Sequence, residues 1–144
     1  MEIALAAAAK AWREHGDVPV GAVILDASGA VIATGVNERE LTHDPTAHAE
    51  VVAIRKAAVK LDNWRLDGCT LVVTLEPGAM CAGAILQSRL SRLVFGAWDE
   101  KAGAAGSVVD LIRDPRALSK VEVISGVLAE RSSALLKEFF SNSR

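Results

Sequence analysis

Two short stretches of this 144-residue chain carry side chains able to do chemistry together: Thr46-Ala47-His48-Ala49-Glu50 and Glu76-Pro77-Gly78-Ala79-Met80-Cys81. Imidazole and thiolate are good zinc ligands, and a carboxylate can carry a proton. Each stretch lies at the start of a predicted helix. Residues two apart on a regular helix do not share a face. His48 and Glu50 can therefore serve one site only if that site lies beyond the helix N-terminus. Cys81, at a second helix N-terminus, would point to the same place, where both helix dipoles favour a thiolate and a bound hydroxide. The competing explanation is a capped helix with a solvated His48 and Glu50, plus a buried structural cysteine.

Composition narrows what such a site could serve. Apolar residues make up 51% of the chain and charged residues 24%, with a mean hydropathy of +0.26. These values fit a globular protein and exclude a disordered one. A chain of this length buries roughly two-thirds of its unfolded surface and needs no disulfide staples. Its cysteines, Cys69 and Cys81, are too few for a secreted disulfide framework. Alanine supplies 25 residues, so much of the apolar content is small and favours helices. Sixteen basic against eighteen acidic residues give a net charge of −2, so nucleic acid could bind only through a local basic patch. Aromatics, at 4%, are too scarce for a broad base-stacking platform. No apolar run reaches membrane length, and Met1-Glu2-Ile3 lacks the basic start of a signal peptide. A cytoplasmic protein with no membrane partner is expected.

The elements that must position the two stretches follow from pattern. Residues 1–15 are alanine-rich, with spread apolar positions, and stop at His15-Gly16-Asp17, which predicts a helix of about four turns. Residues 18–37 read as a β-hairpin, two β-branched runs around Asp26-Ala27-Ser28-Gly29. Residues 37–46 are polar and carry Asp44-Pro45, a helix start with proline at the first helical position. A helix over 45–61 is expected, with Asp44 as its N-cap. There follow a strand over 69–75, a break at Glu76-Pro77-Gly78, a helix over 80–90 and a strand over 93–97. Residues 98–107 form a Gly/Ala-rich loop, then come a short helix near 107–113, a strand at 121–125 and a helix at 127–140. Two antiparallel strands followed by strands alternating with helices define an α/β fold, a single-domain mixed five-stranded sheet sandwiched by helices.

Together the two stretches resemble the zinc-dependent cytidine/deoxycytidylate deaminase superfamily, matched here by its signature, H-x-E followed by P-C-x-x-C. Within that superfamily the chain is similar to the bacterial tRNA-specific adenosine deaminases. The likeness runs from about residue 4 to residue 140. It includes Asp17-Val18-Pro19-Val20-Gly21-Ala22-Val23, Asn37, His43-Asp44-Pro45-Thr46-Ala47-His48-Ala49-Glu50 and Asn63-Trp64-Arg65-Leu66. It continues through Thr74-Leu75-Glu76-Pro77, Met80-Cys81-Ala82-Gly83-Ala84, Phe95-Gly96-Ala97, Asp99, Lys101 and Gly103-Ala104-Ala105-Gly106-Ser107.

The resemblance implies one cytidine-deaminase-like domain over residues 1–144, one zinc per subunit and a homodimer. It implies as substrate the wobble adenosine of a tRNA anticodon loop, flipped into the pocket and converted to inosine. On the same basis Glu50 is the proton carrier, His48 and Cys81 hold zinc, and Asn37, Ala49, Gly78, Asp99 and Lys101 meet the substrate. The loop at 98–107 would face RNA, with Phe139 and Phe140 of the last helix nearby or simply in the core. Arg131, Lys137 and Arg144 would offer phosphate contacts.

One position departs from the pattern. Where the family has the first cysteine of P-C-x-x-C, this chain has Gly78, which has no side chain to ligate a metal. His48 and Cys81 remain, against the three protein ligands plus water usual for catalytic zinc. Cys69 is a poor replacement, because it lies at the opposite end of its strand, roughly 20 Å away at about 3.3 Å per residue. It reads as a small buried hydrophobe. Weakened zinc and little or no turnover are expected. Two other functions compete: deamination of a free nucleobase such as guanine or cytosine, and a non-catalytic tRNA-binding subunit. The matches across residues 99–107 speak against the first, and intact His48 and Glu50 against the second.

Overall fold

The computed structural model describes residues 1–143. The alanine-rich N-terminus forms α1 (Glu2–His15), with Glu2 in its first turn and Arg13 and His15 in its last, signs that suit the helix dipole. Gly16 ends it in the left-handed conformation (φ 75°), donating its N–H to the Trp12 carbonyl at 2.9 Å. The hairpin forms as β1 (Gly21–Leu25) and β2 (Val31–Val36), paired antiparallel. Asp26 holds its turn, Oδ1 accepting from Ser28 Oγ, Ser28 N and Ala30 N at 2.6, 2.9 and 3.0 Å. Those bonds, led by the Ser28 hydroxyl, hold the Asp26 carboxyl below its ordinary range.

A short helix, α2 (Arg39–Thr42), precedes α3 (Ala49–Leu61). Then come β3 (Thr70–Leu75), α4 (Ala79–Gln87), β4 (Arg92–Ala97), β5 (Glu122–Ile124) and α5 (Ala129–Asn142). β1 pairs antiparallel with β3, while β3–β4 and β4–β5 are parallel, so the five strands lie in the order β2-β1-β3-β4-β5. The expected mixed five-stranded sheet is present.

Register assigns the faces. Ala22, Ile24, Leu71, Val73, Leu93 and Phe95 point to the side covered by α3 and α4, and all are buried. Leu66, Ile85, Leu90 and Ile112 complete that core. Each large apolar side chain buried there contributes about 1.5–3 kcal/mol. The abundance of alanine has a packing reason: Ala49, Ala53 and Ala57, four apart, line the inner face of α3 and are buried against the sheet. Opposite them, β2 carries Gly35, where a Cβ would come 2.6 Å from the Ala53 nitrogen. The helix lies that close to the strand. α1 and α5 cover the other face.

Three local expectations are corrected. Residues 45–61 do not make one helix: Asp44 Oδ1 accepts from Thr46 N (2.8 Å) and Thr46 Oγ1 (2.7 Å), capping a tight turn and not α3. His48 is the extended N-cap of α3 (φ −71°, ψ 151°). Within the polar stretch before it, α2 forms because buried Asp17 accepts from Glu40 N (2.9 Å) and Leu41 N (3.2 Å), a cap supplied from far upstream. No helix forms at 107–113. Val108 N and Val109 N bond back to the Gly103 carbonyl and Leu111 N to that of Ala104, while Asp110 Oδ1 takes Arg113 N. Those donors are used in turns, so the helical pattern never closes.

Candidate active site

The N-termini of α3 and α4 converge at the carboxyl ends of β3 and β4, where parallel strands leave a crevice. His48 caps α3, Glu50 lies in its first turn, and Cys81 lies in the first turn of α4. A ligand atom from each, an imidazole nitrogen, a carboxylate oxygen and Sγ, all lie within 4.8 Å of one another. Glu50 is 4% exposed and Cys81 1%, while His48 is half-buried. The pair His48/Glu50 thus meets beyond the helix end, as two residues so spaced must.

Burial sets the charge states of this cluster. It pushes Glu50 above its ordinary value of 4.5. It pushes the Cys81 thiol well up, reinforced by the charge of Glu50 and by a hydrogen bond to it. His48 is held below its ordinary 6.5 by burial and by the Arg39 guanidinium. The metal-free cluster therefore favours a neutral imidazole, with a lone pair to give, and a protonated thiol. A bound cation reverses the thiol's balance, because it stabilises the thiolate directly.

Above the cluster sits a pocket of about 180 Å³, lined by Val18, Val20, Asn37, Arg39, His48, Ala49, Glu50, Leu75, Glu76, Gly78, Asp99 and Ala102. Sites for drug-sized ligands run to roughly 300–1,000 Å³; this one suits a single planar base. Asn37 is buried, its N–H donating to Val20 O (3.2 Å) and its Oδ1 accepting from Arg39 N (3.1 Å). Asp99 Oδ1 accepts from Lys101 N (3.1 Å) and Ala102 N (3.2 Å), so its side chain shapes the loop as well as the pocket wall.

Gly78 is the extended N-cap of α4 (φ −80°, ψ −175°) and forms an antiparallel bridge with Gly103. Its carbonyl accepts from Ala82 N at 2.8 Å, and Pro77 O accepts from Ala104 N at 2.8 Å. A Cβ at position 78 would meet only the Ala102 carbonyl oxygen, at 3.3 Å. The donors present fit zinc in kind, an imidazole and a thiol in one cluster. They are one protein donor short of the usual catalytic set, at a corner where a side chain would need the Ala102 carbonyl to give by a few tenths of an ångström.

Of the residues picked out in the sequence, His48, Glu50, Cys81, Asn37, Ala49, Gly78 and Asp99 are gathered here. Lys101 stays exposed on the loop, outside the pocket lining. Cys69 is buried in the core at the start of β3, the end of the strand away from the cluster. Phe139 packs edge-on against Trp12 of α1 (centroids 5.6 Å apart), whereas Phe140 is 57% exposed. Arg131 pairs with Glu2 at 2.8 Å, Lys137 is exposed, and Arg144 lies outside the described residues. Sequence reasoning missed Arg39; its nearness to Asn37 in a polar stretch was the available signal.

Residues 1–97 match the family described as the cytidine and deoxycytidylate deaminase zinc-binding region. With the fold and the convergent cluster in view, the chain belongs to that deaminase family. A tRNA-specific adenosine deaminase of Haemophilus influenzae is 50% identical to it over 129 residues, spanning 90% of this chain and 75% of that protein. A solved structure from work on A-to-I editing by tRNA:A34 deaminases at the wobble position of transfer RNA superposes with a TM-score of 0.89 at 43% identity. That match covers 94% of this chain and 97% of the other. Guanine deaminase from Nitrosomonas europaea is similar with a TM-score of 0.75 at 30% identity, over 97% of this chain and 80% of its own.

Proposed function

We infer that this chain is built for hydrolytic deamination of adenosine to inosine at the wobble position of a tRNA anticodon. The observation that carries this is the cluster of His48, Glu50 and Cys81 within 4.8 Å beneath a base-sized pocket, in a chain 50% identical to a tRNA-specific adenosine deaminase. His48 and Cys81 would hold zinc. Zinc, when bound, supplies a water activated for attack near neutral pH.

The protein's own groups do the rest. Glu50, whose burial raises its affinity for a proton, takes one proton from the attacking water and gives it to the purine ring nitrogen, then takes the second from the new C6 hydroxyl and gives it to the amine, which leaves as ammonia. Asn37, its Oδ1 engaged by Arg39 N, offers its Nδ2–H to the base. The Ala49 and Gly78 backbones line the pocket beside the base, and the loop bearing Asp99 and Lys101 faces the RNA. The anticodon loop of tRNA is the partner, the protein acts in the cytoplasm, and a second copy of the chain completes a homodimer. No helix among the described residues is long and apolar enough to cross a membrane.

With glycine at 78 the metal is held by too few donors, so zinc binds weakly and turnover is slight. Zinc content and inosine formation on an anticodon stem–loop, for this protein beside its Gly78→Cys form, test this. Zinc and inosine only in the cysteine form are expected. If the glycine protein already does both, the impairment is wrong. A cysteine form that deaminates free guanine and ignores RNA would instead make this a nucleobase deaminase, the reading favoured by the Nitrosomonas structure. RNA binding with no gain of turnover would mark a non-catalytic tRNA-binding subunit.

A further inference from the structure

Glu76 stands just ahead of the Gly78 corner, 2% exposed, and no step of the deamination uses it. Its carboxylate nonetheless reaches into the loop after β4. Oε1 accepts from Asp99 N at 3.0 Å, and Oε2 accepts from Ala105 N at 3.0 Å and Ser107 N at 3.1 Å. Its own N–H donates to Ala97 O at 2.8 Å, so the side chain is fixed at its root. Gly103 faces the same carboxylate so closely that a Cβ there would collide with it. The segment 98–107 has no helix or strand of its own. Its backbone is wrapped around this buried side chain instead.

We propose that Glu76 is the positioning residue of the substrate loop: its carboxylate gathers the N–H groups of Asp99, Ala105 and Ser107 and so presents the loop to RNA. This rests on the tRNA reading above. A carboxylate suits the task because both of its oxygens only accept, whereas all the groups turned toward it donate. Glutamine would be nearly the same shape but wrong at one end. If its oxygen kept Ala105 N and Ser107 N, its NH₂ would face the N–H of Asp99, donor against donor. Asp99 also orders Lys101 N and Ala102 N through Oδ1, so an error at Glu76 passes along the loop. The cluster of His48, Glu50 and Cys81 is not built on these bonds and should be left as it is.

The test is amide hydrogen exchange and anticodon stem–loop binding by this protein and its Glu76→Gln form, at a temperature where both are fully folded. In the unaltered protein, the amides of Asp99, Ala105 and Ser107 should be protected. In Glu76→Gln they should exchange about tenfold faster, Val72 and Val73 in β3 should be unchanged, and the stem–loop Kd should rise about tenfold. A merely structural role would lower the melting temperature without moving the Kd of the folded protein. Should Glu76→Gln fail to fold, Ser107→Pro removes one of the three donors at the exposed rim and should weaken binding about threefold relative to Ser107→Ala, which discounts the hydroxyl's bond to the Asp99 carbonyl (2.8 Å). Unprotected amides in the unaltered protein, or a Kd that survives substitution, overturns the role given to Glu76. An unaltered protein with protected amides and no affinity for the stem–loop overturns the tRNA reading, and with it the purpose assigned to the loop.

Discussion

The N-termini of α3 and α4 are alike in backbone and unlike in chemistry. Each starts at an extended residue, His48 at φ −71°, ψ 151° and Gly78 at φ −80°, ψ −175°, and neither has a side-chain cap. Each sends a first-turn side chain, Glu50 or Cys81, into the same small volume. The caps differ in that one carries an imidazole and the other a hydrogen atom. At α4 the peptide of residue 78 is held by Ala82 N and by the bridge to Gly103, bonds that involve no side chain at 78. The lesson is that backbone aims this site and side chains equip it. A corner can therefore keep its aim after losing its donor.

The largest effect should come from equipping the second corner as the first is equipped. Gly78→Cys should raise zinc affinity by at least about 100-fold, since even partners outside the metal's ligand shell are typically worth 10–100-fold. Competition with a chromogenic chelator measures it, and equal affinities would mean that the two corners are not equivalent in aim. Next in size is a steric contrast. Gly78→Ala should cost no more than about 1 kcal/mol, because the φ is ordinary and the Ala102 carbonyl need give only slightly, although alanine is a poorer N-cap than glycine. Gly35→Ala, aimed at the backbone of α3, should cost about 1–3 kcal/mol. Urea denaturation of both variants settles the order.

The last contrast is electrostatic. Folding raises the pKa of Glu50, so the folded protein binds its proton more tightly than the unfolded chain does. The stability this contributes is full below pH 4.5 and is lost as pH rises through the folded value. With the protein kept metal-free by a chelator, the stability difference between the unaltered protein and Glu50→Gln should fall as pH increases from 4.5, by at most about 1.4 kcal/mol per unit. His48 shifts the opposite way but is common to both proteins and cancels. A flat difference would mean that burial at the α3 terminus does not govern this carboxyl.

What the sequence made legible was local. The hairpin, the alternation of strands and helices, and the two chemical stretches all depend on residues close in the chain, and their arrangement at helix ends could be argued from the spacing of His48 and Glu50. What it hid depends on partners far away. α2 exists because Asp17 caps it from 23 residues upstream, and no local signal announces that. Residues 107–113 look helical until their N–H groups are seen bonding back to Gly103 and Ala104. Glu76 was visible as part of a motif, but its bonding partners lie 23 to 31 residues downstream. Asp44 read as a helix cap because the Asp-Pro pair is a good one; a threonine two residues on took its carboxylate first.

The clearance at position 78 also bears on how such a chain persists. Selection for foldedness removes substitutions that lower stability below a threshold. A glycine with ordinary backbone angles, held by main-chain bonds, gives that selection less than about 1 kcal/mol to act on. A demand for the reaction itself distinguishes the two residues far more strongly. A cysteine at 78 would meet that demand at the cost of a shift of a few tenths of an ångström in the Ala102 carbonyl.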